Sequence, residues 1–301
     1  KGAGIPVVQT VHTYKHVCPS YRLYHMDKGS VCEKCMGGDY YHAMFERCHK
    51  GLFFASLLLA LEMYLHKWLQ LYSRYVDLFL VPSRFMGEKL VEGGIDPGRV
   101  RHLFYTIKLE DYPYRFDSDG YFLYYGRLSG EKGVLTLLEA MRGVSRSFLK
   151  IVGEGPQRQV LQEYAQKEGI EGVAFLGPME GNALKSVVSG AEFVVVPSEW
   201  YENSPLVVYE SFTMGKPVIG SRIGGIPELI EHGVDGYLFE AGNSGELRYW
   251  INYLLRHKEL LPKLGRAARK KAEKIFDPHF HYEEIMKLYS PLLMSTNEAF
   301  L

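Results

Sequence analysis

Short apolar runs alternate with longer amphipathic ones along this chain, and the alternation limits the fold more than any other feature. From residue 121 the runs are "YFLYYG" (121–126), "FLKIVG" (148–153), "VAFLG" (173–177), "FVVVPS" (193–198), "KPVIGS" (216–221) and "GYLFE" (236–240). Helical patterns fit between most of them, over 133–141, 156–168, 182–189, 205–214 and 227–232. Two more close the chain, over 245–274 and 279–294. Strands without polar alternation, separated by helices, predict a parallel α/β sheet covered on both faces. The same grammar is thinner upstream, with strands at 5–11, 78–83 and 100–105 and helices at 52–76 and 84–92. Residues 108–120, polar and aromatic, have the composition of a linker. At ~150 residues per domain the length allows about two. The expected division is 1–112 and 113–278, with a closing helix at 279–301 packing back on the first part.

Composition narrows the partners. The chain is 47% hydrophobic and 23% charged, as in ordinary globular proteins, and its net charge is +0. No general field exists to gather nucleic acid, so any phosphate recognition must be local. The chain opens on "KGAGIPVVQTVHTY", without an initiator Met, so an upstream piece is expected. The most apolar stretch, "LFFASLLLAL" (52–61), is shorter than the ~20 residues a spanning helix needs. A buried helix is expected there, with an interfacial helix as the alternative.

Ligands on open parallel sheets bind beyond the carboxyl ends of the strands. "YYGRLSGEKG" (124–133) places Arg127 and Lys132 in a Gly-rich loop after a strand. Arg offers a rigid fork of donors and Lys a point charge, and both suit phosphate. Solvated charges on a tight turn are the plain alternative. In "SEWYENSPLVVYES" (198–211), Ser204 is expected as an N-cap and Pro205 as the first helical residue. Leu206, Val207 and Val208 would then offer N–H groups to a diphosphate. Glu202, expected in the loop at the mouth of the site, suits a sugar. Glu210, in the second turn, suits the diol of a ribose. Two solvated acids are the alternative, but Tyr201, Pro205, Leu206 and Tyr209 make a poor solvated face.

Other loops after strands are candidate ligand walls. Gly224 and Gly225 can approach a ligand closely. Gly153 and Gly155 in "VGEGP", and Gly177 and Met179 in "LGPMEG", are candidate contacts to a base or sugar. His12 follows the strand at 5–11. Asp117 and Asp119 match a DxD metal pattern but precede a strand, and are expected to be structural. Cys18, Cys32, Cys35 and Cys48 fall within one short stretch, with Cys32 and Cys35 spaced as a zinc knuckle. A structural zinc of four thiolates, four reduced thiols and disulfides all remain open.

Taken together, these stretches resemble retaining glycosyltransferase family 4, of the glycosyl transferases group 1, which has the GT-B fold. "PSEWYENSPLVVYESFTMGKPVIGSRIGGIPELIEHGVDGYLF" resembles its donor-site block with a Glu-x7-Glu pair. "YYGRLSGEKG" is similar to its diphosphate loop, and "VVQTVHTY" to a strand-His element of its first domain. The likeness is dense over 121–241 and thinner over 5–115. It implies two Rossmann-like domains facing across a cleft, the first incomplete here. It implies sugar transfer with retention from a UDP- or GDP-sugar to a glycan or lipid-linked acceptor, without a catalytic metal. Arg127, Lys132, Ser204, Leu206 and Val207 would hold the diphosphate, and Glu210 the ribose. Glu202 and His12 would be the catalytic pair beside the sugar. The family's usual Asn-Gly turn before the linker is "FYTIKLEDY" in this chain. A cytoplasmic protein, or one peripheral to a membrane through its first domain, is expected. The rivals are an epimerase of the same architecture, a binding unit without turnover and a zinc-stapled interaction module.

Overall fold

The structure is a computed structural model that describes residues 5–144 and 147–297. The chain forms two compact units. The first runs to Tyr105 and takes in the last helix, from Pro278. The second is Thr106–Asp277.

The first unit is built on a parallel sheet of β1 (Val8–Thr10), β4 (Leu78–Val81) and β5 (Val100–His102), in the order β1-β4-β5. Between β1 and β4 lie an antiparallel pair, β2 (Tyr24–His25) and β3 (Ser30–Val31), then α1 (Tyr41–Phe45), α2 (Phe53–Trp68) and α3 (Leu71–Tyr75). Helix α4 (Arg84–Glu92) follows β4. Its N-cap is Ser83, whose hydroxyl accepts from the Met86 N–H at 3.2 Å. The helix expected over 52–76 divides at Gln70, which takes a left-handed conformation at φ 52°. Nor is α2 a buried helix: only Ser56, Ala60 and Met63 are buried along it.

The second unit is a six-stranded sheet with all strand pairs parallel. Its elements alternate: β6 (Phe122–Tyr125), α5 (Val134–Met141), β7 (Leu149–Val152), α6 (Arg158–Lys167), β8 (Val173–Gly177), α7 (Gly181–Ser189), β9 (Val194–Val196), α8 (Leu206–Thr213), β10 (Val218–Ser221), α9 (Ile226–Leu229) and β11 (Gly236–Phe239). Helices α10 (Ser244–Arg256) and α11 (Leu261–Ile275) complete it, and α12 (Pro278–Asn297) belongs to the first unit. The helix expected over 245–274 is two helices. It breaks at His257, and Pro262 then suits the first turn of α11.

Strand order is β11-β10-β9-β6-β7-β8. Chain progression therefore runs outward from β6 on one side and from β9 on the other. The crevice beyond the carboxyl ends of β6 and β9 is a topological switch point, where such sheets bind ligands. Strands β6, β9, β10 and β11 are buried along their whole length, which is why their sequences lack polar alternation. Phe122 and Phe193 stack at 4.9 Å within this core. The start of the linker is tied down inside this unit. The Ile107 N–H and Thr106 hydroxyl both donate to the Phe276 carbonyl, at 3.0 and 2.9 Å.

Candidate active site

The loop after β6 is shaped by close backbone approaches. A Cβ on Gly153 would lie 1.8 Å from the Gly126 carbonyl oxygen, and one on Gly155 2.2 Å from that of Leu128. These glycines, expected as contacts to a base, instead let the turn after β7 pack on the loop after β6. The loop ends in a short turn at Gly130–Lys132 and then Gly133, at φ 65°. A Cβ on Gly133 would lie 1.9 Å from the Pro197 carbonyl oxygen. Only glycine allows this contact, and it sets Lys132 against the loop that follows β9.

Lys132 Nζ donates to Glu202 Oε1 at 2.6 Å. The Ser198 hydroxyl donates to the same oxygen at 2.7 Å. Ser198 is itself held from behind, its carbonyl accepting from the Ser221 hydroxyl at 2.6 Å. Glu202 is only 6% exposed, so it is not an open group at the mouth of the loop. A buried carboxylate must be paired, and these two donors supply the pairing. The Gly224–Gly225 turn closes on its backbone. Gly225 N–H donates to the Glu202 carbonyl at 2.7 Å, and a Cβ on Gly224 would meet that oxygen at 2.4 Å. The glycine pair therefore approaches the chain itself.

Helix α8 begins at Leu206, one residue later than expected, with Pro205 in the cap position. Ser204 is not the N-cap. It lies one residue too far upstream, and its buried hydroxyl meets the Tyr209 hydroxyl at 2.7 Å. The Val208 N–H turns back to the Pro205 carbonyl at 3.0 Å. Leu206 and Val207 carry the amides at the positive end of the helix. Arg127 is exposed just past β6 and forms no ion pair among the described residues.

Glu210 is half-buried, and its Oε1 accepts from the Tyr112 hydroxyl at 3.4 Å. Burial pushes its carboxyl above the usual carboxylate range, while hydrogen bonds from Tyr125 and Tyr112 oppose the shift. The Tyr125 hydroxyl lies within 2.9 Å of the Val207 carbonyl as well, so its one proton is shared between the two acceptors where the end of β6 meets the start of α8.

Switch-point geometry thus gathers Arg127, Lys132, Glu202, Leu206, Val207 and Glu210 on the loops and helix after β6 and β9. It does not gather Gly177 and Met179, which follow the edge strand β8, two strands away from β6. His12 lies in the other unit, with Nδ1 2.8 Å from the Tyr105 hydroxyl. Asp119 pairs with Arg115 at 2.6 Å, and the Asp117 carbonyl accepts from the buried Lys216 at 2.7 Å, so the DxD stretch is structural. Ser198, Tyr112 and Tyr125 were not singled out from the sequence. Ser198 carried a signal, because it lies two residues past the end of β9.

Of the three readings left open for the cysteines, the zinc centre finds no support among the described residues. All four are free thiols, and no group of three or more His, Cys, Asp or Glu among the described residues could hold a metal ion. Cys35 and Cys48 pack with Tyr40, Ala43, Ala60 and Met63 in a small apolar cluster. Burial pushes both thiols up to about 12, and the neighbouring thiols add to the shift.

Residues 113–271, more than half of the chain, match the family described as Glycosyl transferases group 1. The chain belongs to this family. Sulfoquinovosyl transferase of Arabidopsis thaliana is 29% identical to this chain over 218 residues, 67% of this chain and 42% of the relative. Alpha-D-kanosaminyltransferase of Streptomyces kanamyceticus is 32% identical over 161 residues, 52% of this chain and 41% of that protein. The chain therefore spans less than half the length of these curated relatives. Among solved structures, Anabaena HepE in complex with UDP and glucose superposes with a TM-score of 0.68. Identity is 22%, over 74% of this chain and 65% of that one. The parallel α/β architecture is that of GT-B glycosyltransferases.

Proposed function

We propose that this glycosyltransferase moves a sugar from a UDP- or GDP-sugar to a glycan or lipid-linked acceptor, with retention at the anomeric carbon. Polysaccharide, glycolipid or cell-envelope glycan synthesis is the setting that fits. The observation that carries the reading is the meeting of Lys132, Glu202 and the start of α8 at the switch point. Two cations, Arg127 and Lys132, and the amides of Leu206 and Val207 would hold the diphosphate. Glu210 would take the ribose hydroxyls from Tyr112. Glu202, fixed by Ser198, would accept hydrogen bonds from the donor sugar.

In this reading the fixed cations and helix amides stabilise charge on the departing diphosphate, without a metal. Positioning of donor and acceptor supplies much of the rest. The acceptor would attack on the face from which the diphosphate leaves, and a phosphate oxygen would take its proton. HepE, solved with UDP and glucose, and the named alpha-transferase from Streptomyces support the donor class and retention. A His12→Ala variant tests whether the first unit contributes to transfer.

The test is nucleotide release from UDP-glucose and GDP-mannose, with and without glycan acceptors, and the anomer of the product by NMR. Acceptor-dependent release with an alpha product is expected. Acceptor-independent appearance of an altered sugar would indicate an epimerase. Binding without release under all conditions would reduce the chain to a donor-binding unit.

A further inference from the structure

Helix α2 is amphipathic in reverse. Its contact face is Ser56, Ala60 and Met63. Its outward face carries Phe54 (76% exposed), Leu58 (67%), Leu61 (53%), Leu65 (48%) and Trp68 (79%). Their spacing of four, three, four and three residues sets them in one stripe along the helix. No charge falls in the stripe. Glu62, on its flank, is turned to Lys15 at 2.7 Å. Phe45 and Tyr41 on the packed helix α1 extend the exposed apolar surface. A contiguous patch of this kind marks a docking surface.

A basic pocket adjoins the start of the same helix. The cavity, about 150 Å³, is lined by Arg22, His25, Arg47, His49 and Lys50, with Asp27 as its one acid. Arg22, Arg47 and Lys50 make no ion pair among the described residues. Four residues in or beside the pocket hold left-handed backbone: Tyr21 (φ 58°), Leu23 (φ 50°), Arg47 (φ 49°) and Lys50 (φ 54°). Backbone held in this region clusters at ligand sites. Lys50 and Gly51 run directly into Leu52, Phe53 and Phe54, so the cations and the apolar stripe share one end of α2.

We propose that the first unit docks on an anionic lipid surface. The outward face of α2 would lie in the bilayer interface, and the pocket of Arg22, Arg47 and Lys50 would seat a lipid phosphate. An amphiphile matches both features at once. A second copy of the chain fits poorly, because a two-fold contact with antiparallel α2 helices would bring the basic last turn of α2, with His66 and Lys67, to the pocket instead of an acid. Trp68 and Tyr64 are residue types favoured at the headgroup level, and Phe53 and Phe54 suit the apolar face of an interfacial helix. Sixteen residues make a helix of about 24 Å, which suits lying in the interface plane. No helix among the described residues is long and apolar enough to cross a membrane. This inference uses no residue of the donor site and stands apart from the transferase reading.

Vesicle co-sedimentation tests it, with phosphatidylcholine vesicles and with vesicles containing roughly 30% phosphatidylglycerol. The chain should sediment with the anionic vesicles and far less with the neutral ones. Lys50→Ala or Arg47→Ala should each lower the association constant about fivefold, and Leu58→Glu with Leu65→Glu should abolish binding. UDP affinity, read in parallel, should stay unchanged in every variant, and circular dichroism with thermal melts shows that each is folded. Three results would overturn the proposal. The first is no sedimentation with either vesicle. The second is equal binding to both with no effect of Lys50→Ala. The third is a dimer that Leu58→Glu converts to monomer while vesicles are ignored.

Discussion

Lys132 and Glu202, on loops after different strands, are joined Nζ to Oε1 at 2.6 Å, and Glu202 is almost fully buried. The pair links the proposed diphosphate contact to the proposed sugar contact before any donor arrives. A donor diphosphate would draw Lys132 away, leaving Ser198 to hold the acid. Lys132→Ala should therefore weaken UDP binding at least about tenfold, the size of a lost charge-assisted hydrogen bond. Calorimetric titration of UDP reads it directly.

In the proposed reading Ser198 would act on donor chemistry only through Glu202, to which its hydroxyl donates, so its effect should be selective. Ser198→Ala should lower the transfer rate about tenfold and leave UDP affinity within about twofold, since one hydrogen bond to the acid is lost and the diphosphate contacts remain. Steady-state transfer with UDP titrated alongside separates the two effects. A parallel loss of both would mean that Ser198 shapes the whole pocket.

As the proposed ribose contact, Glu210 would trade stability for ligand binding. Its carboxyl is raised in the folded chain, chiefly by burial. A raised acid favours folding when protonated and costs stability once pH exceeds its folded value. Glu210→Gln should therefore melt higher than the parent at pH 7. The gain should fade as pH falls below the ordinary glutamate value of about 4.5, where both side chains are neutral. The same variant should bind UDP more weakly. Thermal melts across that pH range check the sign.

Gly133 is a steric requirement of the site. Its φ of 65° and the 1.9 Å approach of a Cβ to the Pro197 carbonyl leave no room for a side chain. Gly133→Ala should destabilise the chain by at least about 2 kcal/mol and weaken UDP binding through displacement of Lys132. Denaturant unfolding measures the first effect.

Thiol chemistry checks the cysteine environment. Cys35 and Cys48, pushed up to about 12, should alkylate more than about a hundredfold slower than a peptide thiol at pH 8. Site-resolved mass spectrometry after iodoacetamide gives the rates, and metal analysis of the purified protein decides between free thiols and a zinc centre.

Much of the second unit was legible because burial on both faces leaves its strands as uninterrupted apolar runs, as in "FVVVPS" and "KPVIGS". The loops after them named Arg127, Lys132, Glu202 and Glu210. What pattern could not show is which way a group turns. Ser204 has the chemistry of a cap, yet a one-residue shift of the helix start points its hydroxyl at Tyr209. Gly153, Gly155 and Gly224 were legible as close approaches but not as approaches to the chain's own carbonyls. Tyr112 lies in the linker and meets Glu210 only through the fold. The apolar run at 52–61 read as a buried helix, because composition cannot say that its larger face is turned outward.

The most direct test of the donor site is calorimetric titration of UDP-glucose and GDP-mannose into the parent and into an Arg127→Ala, Lys132→Ala variant. One of the two donors should bind the parent, and the double variant, folded by circular dichroism, should lose at least about a hundredfold in affinity. Equal affinity in parent and variant would contradict the assignment of the diphosphate to the loop after β6.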